Sequence, residues 1–266
     1  LAEYVLRRRA VLDLLERLRE YADDDTSKHH REDALHRLIC PMRADSAKVS
    51  YENHNLWLLD DRLAFFAYFN SDSEMRSYTD LASEDRPDLA LFYDTVSAWV
   101  DQQTRPNTAV LVEFKRPMRD DYNGNDNPVR QLTRYVKQLR EANNLKDHKG
   151  GQRPVALANA SYHCYVVADL TESLLREIEM LSLHTTPDGE GRFGYVGAPG
   201  QQFYLEIVPY AKLLADARER NSIFFNKLGI IDLDPSTIPD TVVEAALGAR
   251  EPVENVETEA EVLQDS

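Results

Sequence analysis

The run AVLVEFKRP, residues 109–117, constrains the fold more than any other stretch of the chain. Ala109, Val110, Leu111, Val112 and Phe114 are apolar, partly β-branched and followed by Pro117, which reads as a short buried strand. Glu113 and Lys115 interrupt it with opposite charges two residues apart, hence on one face of the strand. Asp88, just after Pro87, opens a second strand-like run 25 residues before Glu113. Two carboxylates and an amine converging in an apolar core are costly unless paired or metal-bound, because an ion buried alone loses its hydration. A divalent cation resolves that conflict.

The rest of the chain can build such a core, since 42% of its 266 residues are hydrophobic. Two cysteines, Cys40 and Cys164, are too few for a disulfide framework, and no apolar window is long enough for a membrane span. A reducing, cytoplasmic setting is expected. The net charge of −15 opposes phosphate binding only on average. Of it, −9 falls in residues 232–266, with ten acids and one arginine, which leaves −6 for residues 1–231. That C-terminal stretch reads as an acidic, disordered, solubilising tail. Gly-rich phosphate loops and Cys/His zinc spacings are missing from the sequence, which argues against a small-molecule enzyme built on either.

Hydrophobic spacing predicts a helix over residues 3–21, from Val11, Leu14, Leu15, Leu18 and Tyr21, and a second from about Arg31 to Leu38. Residues 1–30 are read as an N-terminal helix and linker, and 31–231 as the main domain. The chain starts within a helical pattern and lacks a signal-peptide pattern, so the expectation is a piece of a longer protein. Leu56, Leu59, Leu63 and Phe66 suggest a helix within 55–69, with a strand as the alternative and its aromatics in the core. Strands are expected at 86–94, 109–115, 161–170 and 201–210, the first two joined by a hairpin-like loop. Helices are expected at 128–142, 171–183 and 210–228, the last ending at Gly229. Together they predict an α/β class with a mixed β-sheet core flanked by helices.

In the helix from 128, Val129, Leu132, Val136 and Leu139 share one stripe, while Arg130, Arg134 and Lys137 fall nearly opposite. Gln131 and Tyr135 lie between the two faces. Such a helix packs on a sheet, shows Gln and Tyr at the edge of a site and turns a basic face to a phosphate backbone. The bland alternative is an amphipathic helix with solvated cations.

Pro87-Asp88, Glu113-Phe114-Lys115 and the later Gln131-x-x-x-Tyr135 resemble the motifs of the PD-(D/E)XK nuclease superfamily, in its RecB-like and Shedu-like branch. The same acid-x-Lys spacing recurs at Asp147 and Lys149, in a polar loop with no strand around it, and is set aside. The HNLW segment and the pattern from Glu206 to Ile230 look like those accompanying such domains in bacterial anti-phage defence proteins. The resemblance implies a restriction-endonuclease-like fold and metal-dependent hydrolysis of DNA, with RNA left open. Catalytic roles would fall to Asp88, Glu113, Lys115 and Gln131. Mg²⁺, or Mn²⁺, would be held by Asp88, Glu113 and the Phe114 carbonyl, with Glu32 or His36 from an early helix as a further ligand. Nucleic acid would meet Tyr135, Arg130, Arg134, Lys137 and Arg116. An upstream regulatory or ATPase domain and a homo-oligomer are also expected. The rival expectation is a silent module on the same fold that binds nucleic acid or assembles with protein.

Overall fold

The computed structural model describes residues 2–20, 28–46, 48–50, 53–93, 108–146, 151–230, 238–239 and 241–242. Its strands are β1 (Tyr68–Ser71), β2 (Leu89–Tyr93), β3 (Thr108–Phe114), β4 (Asn144–Lys146), β5 (Gln152–Pro154), β6 (Ser161–Val167), β7 (His184–Thr185), β8 (Arg192–Val196) and β9 (Phe203–Val208). All but β4 and β5, which pair with each other, form one seven-stranded sheet in the order β1-β2-β3-β6-β9-β8-β7. The centre, β3-β6-β9, is parallel, and both flanks are antiparallel.

Alternation along β3 explains the layers. Val110, Val112 and Phe114 face an apolar cluster built with α1 (Ala2–Glu20), α2 (Lys28–Ile39) and α6 (Tyr210–Leu228). Ala109 and Leu111 face the opposite cluster, with α3 (Met75–Tyr78), α4 (Pro128–Leu139) and α5 (Glu172–Ile178). A strand covered on both faces must be apolar almost throughout, as β3 is. The two crossovers that parallel pairing requires run through α4, from β3 to β6, and through α5, on the way from β6 to β9. The mixed α/β class expected from the sequence is therefore the one observed.

Some elements differ from expectation. Residues 55–69 form no continuous helix but two 3₁₀ turns, Leu56–Leu58 and Asp61–Phe65, before β1. Polar side chains there take over the backbone's role: Asn55 Nδ2 donates to the Leu38 carbonyl, and Asp60, itself extended, accepts from Arg62 N. Trp57 and Phe69 are core, but Phe65 is 78% exposed. The first helix is no appendage: Val5, Leu12, Leu15 and Leu18 of α1 enter the same cluster as α2 and α6. Arg8 of α1 also donates to Asn221 of α6 at 2.9 Å. Of the stretch read as a tail, only 238–239 and 241–242 are described, and Ile238 packs on the first cluster. Residues 94–107, where the hairpin-like connection was expected, and Asp147-His148-Lys149 lie outside the described residues. Among the described residues no helix is long and apolar enough to cross a membrane.

The helix that matters most to the site is fixed at its start by Asn127, which is buried. Its side-chain oxygen accepts from Val129 N at 2.8 Å and Arg130 N at 3.2 Å, the Asn127 side-chain amide donates to Glu177, and Pro128 takes the first helical position. Asn127→Ala is expected to cost about 1–2 kcal/mol, lowering the melting midpoint by roughly 2–8 °C in a thermal scan.

Candidate metal and nucleic-acid site

Antiparallel pairing sets Leu89 opposite Val112, and one further step along that register sets Asp88 opposite Glu113. Both belong by alternation to the face of Ala90 and Leu111, the side on which α4 lies. Asp88 Oδ2 accepts the Phe114 N–H at 2.7 Å, which ties the start of β2 to the end of β3. Glu113 and Lys115 are 3% and 5% exposed and form an ion pair, Nζ to Oε1, at 2.8 Å. The second Glu113 oxygen, Oε2, is buried with no hydrogen-bond partner.

The turn beyond β3 is held from three sides. Lys115 N–H donates to the Val167 carbonyl, and the buried Tyr210 hydroxyl donates to the Lys115 carbonyl at 2.7 Å. Glu32 Oε2 accepts from Arg116 N at 3.0 Å, so the early helix does reach the site through its glutamate. Asp169 accepts from Met118 N with one oxygen and from Tyr210 N with the other. Neither Tyr210 nor Asp169 was signalled by the sequence, because each stands far along the chain and acts on the backbone. Tyr122, another buried neighbour whose hydroxyl has no partner, sits as a single aromatic in a polar loop; that isolation was its only signal.

The electrostatics follow from crowding. Burial pushes the Asp88 carboxyl well above the ordinary carboxylate range; the Glu113 charge adds to this, against the opposing pull of Lys115. Glu113 is raised as well, chiefly by burial, although the ammonium beside it resists. For Lys115 burial would lower the value, but Glu113, Asp88 and Glu32 outweigh it and hold the amine above its usual range. The amine is thus a fixed cation at neutral pH that compensates one carboxylate, and the pair of carboxylates is left one positive charge short.

His36 takes no part. Its Nε2 is 2.9 Å from Ser71 Oγ, its ring packs on Phe114 at 5.1 Å, and burial, with Arg37 adding, pushes its pKa down to about 3. Gln131 flanks the buried stripe of α4, and its Oε1 is buried without a partner. Tyr135 is buried and its hydroxyl donates to the Arg86 carbonyl; burial raises its pKa, with Glu113 and Asp88 contributing. Arg130, Arg134 and Lys137 are all exposed. Arg134, however, is engaged with Asp85 at 2.9 Å and lies over the Tyr135 ring. Arg116 is half-buried, with its guanidinium 3.7 Å from Asp121.

Among the described residues no group of three or more His, Cys, Asp or Glu side chains is arranged to hold a metal ion. Two carboxylates, one with a buried orphan oxygen, nevertheless suit Mg²⁺, which binds through one or two carboxylates and completes its octahedron with water and phosphate oxygens. No family model matches the chain, and searches of curated proteins and of solved structures give no match either.

A buried neutral histidine has a pH signature. In the unfolded chain His36 protonates near 6.5, whereas in the folded chain it resists down to about 3. Its contribution is therefore complete above pH 6.5 and lost as pH falls towards 3, by about 1.4 kcal/mol per unit. Denaturant titrations should show the parent losing about 2 kcal/mol more than His36→Gln between pH 7 and pH 5. Equal losses in the two proteins would place the imidazole in solvent.

Proposed function

We propose that the chain is a metal-dependent nuclease that hydrolyses phosphodiester bonds, with DNA as the substrate expected from the motifs. One observation carries this reading: Asp88, Glu113 and Lys115 meet on one face at the end of β3, with Glu113 Oε2 buried and unpartnered. A structural ion pair needs one carboxylate, and here there are two, with Glu32 close by. With all groups charged the triad carries −1, and −2 with Glu32, which suits a divalent cation. The chemistry that a bound Mg²⁺ or Mn²⁺ would supply is polarisation of a phosphoryl oxygen and a lowered pKa for bound water.

The protein's own groups do the remainder. Asp88 and Glu113 would hold the ion, with the free Glu113 oxygen as its natural contact and the Phe114 carbonyl at the same strand end. Lys115, permanently charged, cannot serve as a base; it stabilises negative charge developing on the phosphate and orients the attacking water. Gln131 would accept a hydrogen bond from that water at the helix edge. Arg130 and Lys137 would meet the backbone of the nucleic acid. Arg134 contributes less there, since Asp85 already engages it. A cytoplasmic setting fits two buried, unpaired cysteines. A role in bacterial defence, an upstream regulatory or ATPase domain and a homo-oligomer rest on the sequence resemblance alone. The second reading, a silent nuclease-fold module, is favoured by the closed Lys115–Glu113 pair, which already neutralises one carboxylate.

The two readings part in a paired measurement of Mg²⁺ titration and cleavage of duplex DNA, single-stranded DNA and RNA. Asp88→Asn and Glu113→Gln should lose both metal binding and cleavage. Lys115→Met should keep the metal, seen as Mg²⁺-dependent thermal stabilisation, and cut at least ~100-fold more slowly. A parent that never cuts with Mg²⁺ or Mn²⁺, or a Lys115→Met variant that cuts at the parental rate, would establish the silent module.

For the basic face, affinity should fall for every sequence in Arg130→Ala and in Lys137→Ala, and the slope of log K against log salt should flatten by about one unit per residue. Arg134→Ala should change the slope less. Slopes equal to the parent's in the Arg130→Ala, Lys137→Ala double variant would remove α4 from the interface.

A further inference from the structure

On the outer edge of the sheet, beside β1, a polar cavity of about 110 Å³ is lined by residues that include Arg43, Asp45, Tyr68, Asn70, Tyr78 and Lys146. Two of its donors have nothing to bind. Asn70 Nδ2 and the Tyr78 hydroxyl are buried without partners, on side chains only 4% and 2% exposed. An unpaired buried donor is destabilising, so two on side chains that line one cavity point to a missing acceptor. Burial keeps the Tyr78 phenol above its ordinary value, so it stays protonated and can donate. The Lys146 ammonium donates to the Arg76 carbonyl and keeps two further N–H groups. Arg43 is engaged by Asp72 at 3.3 Å, so Lys146 and Asp45 are the charges left in the lining and they balance. A cation would find one carboxylate here and face two orphan donors; an oxyanion matches the set.

We propose that this cavity binds a phosphate group, with Asn70, Tyr78 and Lys146 as its donors. Its place in the fold suggests the source. Asn70 pairs with Ala90, on the sheet face that also carries Asp88 and Glu113. Asp72, two residues on, donates its N–H to the Asp88 carbonyl at 3.0 Å. The cavity thus lies about 7 Å along the strand from the Asp88 row, where a second phosphate of a bound strand would fall. That assignment of source rests on the nuclease reading; the phosphate site itself does not.

The test uses the full chain and three variants. Tyr78→Phe removes only an unpaired hydroxyl and should leave the fold at least as stable as the parent. Lys146→Gln removes the charge, and Lys115→Met serves as the control at the other site. Inorganic phosphate, at ionic strength matched with chloride, should raise the thermal midpoint of the parent and of Lys115→Met. In Tyr78→Phe and Lys146→Gln the phosphate needed for the same shift should rise about tenfold or more. A phosphate shift that is absent, or equal in parent and both cavity variants, overturns the proposal and leaves ordered water as the occupant. In a second arm, fluorescence anisotropy with a short single-stranded oligonucleotide distinguishes the sources. Weaker binding by Tyr78→Phe assigns the phosphate to a strand, whereas unchanged binding assigns it to free phosphate. Failure of the parent to cleave any nucleic acid would defeat the nuclease reading while the inorganic-phosphate result stood.

Discussion

The ion pair between Glu113 and Lys115, buried at 2.8 Å beside a second carboxylate, is the constraint on which this structure depends. Burying each ion costs several kcal/mol, and one close contact offsets that only when the other polar atoms are also satisfied. Here they are not: Glu113 Oε2 has no partner, and Asp88 is held with its charge disfavoured. A fold selected for stability alone could fill the same volume with apolar side chains and lose nothing. Keeping three ionisable groups in the sheet is therefore evidence of use, and the surrounding elements are arranged to maintain them.

That arrangement is concentrated in the four residues after the strand. Lys115, Arg116 and Met118 have their backbone groups fixed by Tyr210, Glu32 and Asp169 respectively. Two of these partners come from α6 and α2, on one face of the sheet, and the third from the β6 end, so the turn after β3 is tied both to that helical layer and to the neighbouring strand. It also lies at the carboxyl end of the parallel strands β3 and β6, where open α/β sheets place their ligands. The rigidity of the site thus comes from main-chain bonds supplied by distant segments, while its charge comes from three residues close in the register.

What the sequence revealed follows the same division. Period-two alternation in β3 and the 3.6-residue stripe of α4 are local, and both were legible: Val129, Leu132, Val136 and Leu139 are buried, and Gly229 ends α6 in a left-handed conformation with φ 65°. The pairing of Asp88 with Glu113 was legible in outline because each sits at the edge of an apolar run. His36 was not, since its orientation is decided by Ser71, 35 residues later, and by the ring of Phe114. Nor was the ion pair of Arg134, whose partner Asp85 stands in a loop 49 residues earlier. The short strands β1 and β7 escaped because edge strands of four and two residues carry too little alternation to be read.

The acidity of the chain bears on the nucleic-acid reading through distance and not through the total. At physiological salt, charges more than about 8 Å apart in solvent are largely screened, so a phosphate responds to its immediate neighbours. Around the site those neighbours are of mixed sign. Arg76 and Arg86 are committed to Glu74, and Arg134 to Asp85. These pairs leave little net field on that rim. Arg130 and Lys137 on α4 and Lys146 near β1 form no ion pair among the described contacts, with α4 on the β3–β6 side and Lys146 on the β1 side of the Asp88–Glu113 row. A strand bound between them would gain phosphate contacts at both ends while the carboxylates in the middle repelled it. A bound divalent ion would reverse that repulsion. On the nuclease reading, then, substrate affinity itself should depend on the divalent ion, which couples the two binding events before any bond is broken.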